Sequence, residues 1–407
     1  MASLEQKVVS FLLGIVRARR GESSASAAAL RTHAAGAVPP AKVREAQFSD
    51  FVAVADLKRR WDLTADSLEN WERIWHHNPA LQQMRLEPPI GWVLEADGAV
   101  VGYLGNVSLI YHYGDRVLRA VVGTNLVVEP AYRAIAFTLN AAYYRQQSVD
   151  LFLTTTAIEA VGRIARSFKC LPLPQADYDS MLFWVLQPEP FAKALMEKLQ
   201  LNAPASRIAS VLAACAVRAD RMLRQRRPSG STVDFEIRDI ALSEMGGEFG
   251  ELWRQKLKEP PRLLADRDPA TLRWHFDVPH DAGSQSVLCC YKHGSLLGYA
   301  VVRHETAGFT GLRRSIIADM LAREDDPAVL SALWVASYER AKKAGSHIFE
   351  VLGFPPGVRE IGSPWHPYLR KYPACPFYYK ATDAALHQTL SDGKAWYASP
   401  FDGDTTL

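Results

Sequence analysis

The stretch Thr124-Asn-Leu-Val-Val-Glu-Pro-Ala-Tyr-Arg-Ala-Ile-Ala-Phe-Thr138 decides how the rest of the chain is read. An apolar, β-branched run ends at Val128. Pro130 then removes a backbone donor and cannot continue a sheet ladder. The residues after it predict a tight turn and a helix over Ala134–Gln147. Free N–H groups at a helix N-terminus favour a phosphate, and Arg133 adds a cation beside them. The small side chains in Arg133-Ala-Ile-Ala-Phe-Thr138 let the backbone approach a ligand closely. A plain strand–turn–helix connection is written with the same letters, so the segment alone leaves phosphate binding open.

Working outward, Phe48–Trp61 and Ser67–His77 read as helices, the first opened by Ser49-Asp50. Gly91–Ala96 and Ala99–Tyr111 read as strands joined at Asp97-Gly98, a hairpin signal. Val117–Val128 is a third strand. After the turn come a strand at Leu151–Thr155, a helix at Ile158–Phe168 and a strand at Tyr178–Leu186. This order predicts an α/β (α+β) mixed sheet with helices on both faces. Phe191–Arg227 reads as helical, broken near Pro204, with an apolar stripe through Ile208, Val211, Leu212, Cys215, Met222 and Leu223. From Val233 the pattern restarts, and Gly102-Tyr103 recurs as Gly298-Tyr299, 196 residues later. The expected division is an amphipathic helix at 1–20, a linker at 21–41, a first unit at 42–190, a helical connector at 191–232 and a second unit at 233–407.

Val128-x-Pro130-x-x-Arg133-x-x-Ala136-x-Thr138 resembles the acetyl-CoA signature of the GNAT (Gcn5-related N-acetyltransferase) superfamily. The run from Trp71 to Pro79 and the strand end Leu153-Thr-Thr-Thr-Ala157 resemble GNAT-like proteins found with surface-polysaccharide genes. Residues 233–407 resemble a second, diverged copy, so the fold expected is two GNAT-like domains in tandem. A more distant resemblance is to FemAB-type aminoacyl transferases. What the resemblance implies is acyl transfer from acetyl-CoA or another acyl-CoA to an amine or hydroxyl of a small-molecule or cell-envelope precursor. It implies cofactor contacts at Leu126, Val127, Val128, Arg133, Ala134, Ile135, Ala136, Phe137 and Thr138. The alternatives are a noncatalytic scaffold of the same fold and an aminoacyl-tRNA-dependent transferase.

The sequence departs from that pattern. Ala136 and Thr138 stand where smaller residues are usual, Ile158 and Ala165 where an Asn and a catalytic Tyr are usual, and Lys169-Cys170 replaces Gly-Phe. No catalytic acid is carried over. Asn125, Glu129, Tyr143 and Tyr144 are the nearby candidates. In the second unit Glu324, Asp325 and Asp326 crowd the corresponding turn, and their charge would repel a pyrophosphate. That unit is therefore expected to shape the acceptor cleft, with Asp319 a candidate to face it, rather than to hold CoA.

Composition bounds the remaining classes. With 48% hydrophobic and 22% charged residues the chain is globular. Its net charge of +3 is carried wholly by residues 1–40, and a neutral body weighs against nucleic acid as partner. Residues 4–20 combine an apolar face with arginines, which suits docking to protein or peripheral contact with the inner membrane face. No apolar run reaches the roughly 18 residues of a membrane span, and the cytoplasm is expected. Five scattered cysteines fit buried thiols. Adjacent His76-His77 point to different faces, so no metal is expected. Asp402-Gly-Asp404 reads as a solvated acidic tail.

Overall fold

The computed structural model describes residues 39–84, 88–199, 203–224, 226–230, 234–279, 284–308, 310–371 and 377–407. The amphipathic helix expected at 1–20 lies outside them, as does the linker up to residue 38.

The first half runs β1 (Lys42–Glu45), α1 (Phe51–Arg60), α2 (Leu68–Trp75), α3 (Pro79–Met84), β2 (Gly91–Ala96), β3 (Ala99–Tyr113), β4 (Arg116–Val128), α4 (Phe137–Tyr144), β5 (Leu151–Thr154), α5 (Glu159–Ser167), β6 (Leu171–Pro172) and β7 (Ser180–Val185). Helices α6 (Pro188–Lys198) and α7 (Ala203–Leu223) connect the halves. The second half runs β8 (Glu236–Ile240), α8 (Gly247–Lys256), β9 (Leu264–Ala265), α9 (Pro269–Phe276), β10 (Gln285–Lys292), β11 (Ser295–Ala307), β12 (Leu312–Ala322), α10 (Pro327–Lys343), β13 (Ile348–Val351), β14 (Tyr368–Lys371) and β15 (Tyr378–Ala381).

Local rules account for most of these elements. Asp97-Gly98 and His293-Gly294 both place two successive residues at positive φ, the geometry of a two-residue hairpin turn. Ser67 accepts from the Asn70 amide at 3.1 Å and so caps α2. Asp326 does the same for α10 through the Ala328 amide, with Pro327 at its first position. The recurring Gly-Tyr pair occupies matched places: Gly102 and Tyr103 face Val128 and Val127, while Gly298 and Tyr299 face Ala322 and Leu321.

Two mixed sheets result, ordered β1-β2-β3-β4-β5-β15-β6, with β9 added to β3, and β14-β7-β13-β12-β11-β10-β8. They do not follow the sequence division at residue 190. Strand β7, from the first half, lies antiparallel to β13 in the second sheet. Strand β15, from the second half, lies antiparallel to β5 in the first. The six residues of β7 are all buried, as a run covered on both faces must be. Trp184, at its centre, packs against Trp334 and Phe349.

The halves share one core. Arg73 and Trp274 are cross-linked: the Arg73 guanidinium donates to the Trp274 carbonyl, and the Trp274 indole donates to the Arg73 carbonyl at 2.8 Å. Trp365 packs on Trp334 and its indole donates to the Ser229 carbonyl, so the aromatic Trp365–Tyr368 loop supports the second sheet. The stripe on α7 points outward, with Ile208, Val211, Leu212, Met222 and Leu223 all exposed. Cys289 and Cys290 are buried, which pushes both thiols up to about 12. No helix among the described residues is long and apolar enough to cross a membrane.

Candidate functional site

Strands β4 and β5 run parallel through Ala120–Leu151, Val121–Phe152 and Val122–Leu153, and then part. The Tyr143 hydroxyl lies 2.9 Å from the carbonyl oxygens of both Val121 and Leu153, pinning the base of this fork. Above it β4 carries a bulge: Tyr103 faces Val127 and Gly105 faces Thr124, leaving Leu104 against both Asn125 and Leu126. Asn125 sits at φ 55°, a conformation asparagine tolerates better than most residues. Pairing with β5 has already ended at Val122–Leu153, so the Asn125–Leu126 backbone lies beyond the last paired residues. The Asn125 side chain accepts from Lys58 at 3.0 Å, and Lys58 also binds Asp66 at 2.8 Å.

The turn differs in detail from its expected form. Pro130–Ile135 is a 3-10 turn, and α4 begins only at Phe137. Among the described residues no backbone carbonyl accepts from the amides of Phe137 or Thr138. The Thr138 hydroxyl folds back onto the Ile135 carbonyl at 2.6 Å, which takes its bulk off those amides. Arg133 is exposed, lies 5.8 Å over the Trp61 ring, and pairs with no carboxylate among the described residues. Phe137, in the first turn of α4, and Ile158, the N-cap of α5, are 54% and 62% exposed. Val127 and Val128 are buried, Leu126, Ile135 and Ala136 partly so, and Ala134 is exposed.

The four candidate catalytic residues are engaged by the protein. Tyr143 is the pin just described. Tyr144 stacks on Phe168 and lies 3.4 Å from the Thr154 hydroxyl, and burial raises its pKa. Glu129 pairs with Arg60 at 2.8 Å. Asn125 serves Lys58. Among the described residues no group of His, Cys, Asp and Glu is placed to hold a metal ion.

What the sequence reading missed is the C-terminal segment. The expected solvated tail is folded inside. Asp402 is buried, accepting from the Tyr111 hydroxyl at 2.9 Å and from the Ser399 amide at 2.8 Å. Asp404 lies across the first fork. It accepts from Thr155 at 2.5 Å and from Thr156 at 3.2 Å on the β5 side, and the Thr124 side chain approaches it from the β4 side. Burial raises its carboxyl above the ordinary value, and the three threonines oppose that. Gly403, at φ 71°, passes so close that a Cβ there would meet Thr155 at 2.4 Å. The contacts span about 250 positions in sequence, so no local signal marks them.

The second fork has a different filling. Strands β12 and β13 pair only from Arg314–Ile348 to Ile316–Glu350. Where they part, the Tyr397 hydroxyl donates to the Met320 carbonyl at 2.8 Å and the Phe354 amide donates to the Ala398 carbonyl at 3.0 Å. Asp319 is fully buried against Arg267 in a two-point ion pair at 3.0 Å, and the Tyr299 hydroxyl donates to it at 2.8 Å. Asp325 is tied to Lys256 at 2.6 Å and Arg262 at 2.7 Å, which holds its carboxyl below the usual range against the opposing effect of burial. Asp319 therefore braces the core rather than facing a cleft.

No family model matches the chain, and a search of curated proteins finds no match. Solved structures do match. A GCN5-related N-acetyltransferase from Kribbella flavida superposes with a TM-score of 0.53 at 11% identity, over 85% of this chain and 72% of that one. One from Anabaena variabilis gives 0.50 at 11%, over 84% and 73%. A probable N-acyltransferase from Enterococcus faecalis gives 0.54 at 9%, over 84% and 73%. The fold is that of the GCN5-related N-acetyltransferases.

Proposed function

We propose that this chain is an acyltransferase that binds acyl-CoA in the β4–β5 fork and passes the acyl group to an amine or hydroxyl of a small polar molecule. The observation that carries the reading is the asymmetry of the forks. Both long strands carry a bulge, but the first fork keeps unbonded helix amides, an arginine with no carboxylate partner among the described residues and exposed apolar rims, whereas protein fills the second.

In this reading the backbone of Asn125–Val128 pairs with the pantetheine arm as an added strand would. The amides at the start of α4 and Arg133 hold the pyrophosphate. Phe137 and Ile158 flank the apolar arm. The acceptors to test first are cell-envelope sugar precursors.

Thermal shift of the full chain with acetyl-CoA and longer acyl-CoAs tests this. A ligand at 100 times its Kd stabilises by about 2.7 kcal/mol, a readily measured rise in Tm. Arg133→Glu should abolish the rise. No stabilisation of the wild-type chain by any acyl-CoA would sink the reading.

A further inference from the structure

Resting on the reading that acyl-CoA enters the first fork, we propose that Asp404 is the general base of the transfer and that the cavity behind the fork receives the acceptor, an amine or alcohol of amino-sugar or amino-acid size.

Position comes first. Asp404 lies between the two arms of the fork, approached by Thr124 on one and bonded to Thr155 and Thr156 on the other. It reaches them from the face opposite α4. On the α4 face, Leu104, Val121 and Phe152 pack with Leu139 and Tyr143. On the other, Ala120, Val122 and Leu153 join the core shared with the second half, which includes Tyr397, Ala398 and Phe401 of the C-terminal segment. A thioester held from the α4 side thus has the carboxylate across the fork from it, where an incoming nucleophile must lose its proton.

The surroundings fit this role better than a structural one. Asp319, which braces the core, is fully buried and paired with Arg267, whereas Asp404 is only partly buried, as a group that must meet a substrate has to be. Asp404 is bonded to the Thr155 and Thr156 hydroxyls, and among the described residues no cation is paired with it. Burial raises its proton affinity above that of an ordinary carboxylate, the direction that favours a base.

The acceptor has a way in. A cavity of about 240 Å³ is lined by Thr155 and Thr156, which both bond Asp404, and by Arg303, Arg314, Thr405 and Thr406. Glu305 and Asp179 also line it, while Met181, Ile316, Ala318 and Leu352 make much of the wall apolar, so the chamber sets charges of both signs on an apolar wall. It falls below the roughly 300–1,000 Å³ of drug-sized pockets, which selects a small acceptor over a polymer.

The acceptor nitrogen, already shed of its ammonium proton, or its hydroxyl oxygen attacks the thioester carbonyl carbon. The new C–N or C–O bond forms as one N–H proton, or the O–H proton, passes to Asp404. The C–S bond breaks with its electron pair on sulfur, and the protonated Asp404 or solvent returns a proton to the thiolate.

The test uses the full-length chain and Asp404→Asn. Acetyl-CoA affinity is measured first by calorimetry. Thiol release from acetyl-CoA is then followed with water, glucosamine and a set of amino acids as acceptors. Expected is an acetyl-CoA Kd within about twofold of wild type and thiol release lowered on the order of 10²–10⁴-fold. If Asp404→Asn does not fold, Asp404→Glu, which keeps the charge but shifts it, should lower release with affinity retained. Unchanged release in the folded variant would overturn the inference. So would a wild-type chain that binds acetyl-CoA yet accelerates thiol release with none of these acceptors. Failure of the wild-type chain to bind acetyl-CoA is a separate result, removing the fork reading and this inference with it.

Discussion

The two forks are built alike and finished differently. In each, a Gly-Tyr pair faces the last residues of a long strand, and a helix begins just beyond. In the first, the amides of Phe137 and Thr138 have no backbone acceptor among the described residues, and the gap is met by the Asp404 carboxylate. In the second, Asp326 caps the helix, Asp325 is locked to Lys256 and Arg262, and Tyr397 and Ala398 bond both sides of the gap. One C-terminal segment serves both, filling the second fork with its backbone and aromatics and presenting a carboxylate to the first. The lesson is that a sheet fork is an apolar, hydrogen-bonding slot that must be occupied, by chain or by ligand.

The largest effect tests whether the forks are separable. Because β7 and β15 are exchanged, a fragment of residues 39–232 lacks the strand that pairs β5 and carries a β7 with no sheet to enter. It should show no cooperative thermal transition by circular dichroism, while the whole chain unfolds in one step. A fragment that folds and binds acetyl-CoA alone would break the comparison.

Next come the matched positions two residues before the facing pair. Asp319→Asn leaves Arg267 buried without its counter-charge and should cost about 3–5 kcal/mol in urea unfolding, with acetyl-CoA affinity unchanged. Asn125→Ala removes only an acceptor from Lys58 and a residue suited to positive φ, and should cost about 1–2 kcal/mol. Equal costs would mean the two positions do the same work.

The helix starts should respond oppositely. Arg133→Glu should remove acyl-CoA stabilisation and leave the ligand-free Tm nearly unchanged. Asp326→Ala should leave ligand binding alone and cost about 1 kcal/mol as a lost cap.

The smallest effect is a slope. Burial pushes the Asp402 carboxyl from 3.8 up to about 6. Between those values the folded chain holds a proton the unfolded chain has released. This group's contribution to stability is therefore full below about pH 4 and lost as pH rises through about 6. Asp402→Asn should flatten that part of the pH–stability curve, read by chemical denaturation at stepped pH.

Much of the first fork was legible along the chain. Pro130 after a β-branched run and Gly98 at a hairpin turn, with Gly294, Asp326 and the Gly-Tyr recurrence in the second half, each act within a few residues, so local chemistry determines them. Glu324, Asp325 and Asp326 stand at the second turn in the sequence, and the structure engages Asp325 with Lys256 and Arg262 and Asp326 with the Ala328 amide. What only the tertiary structure decided is who fills each gap. The run Ser180–Val185 reads as a strand in isolation, yet nothing local says which sheet it enters, because both offer an apolar edge of the same kind. Asp402 and Asp404 read as a polar tail, since burial depends on contacts far away in sequence. Composition and spacing set the elements and the turn after β4; long-range packing, which spacing does not encode, set the strand exchange and brought a carboxylate to the fork.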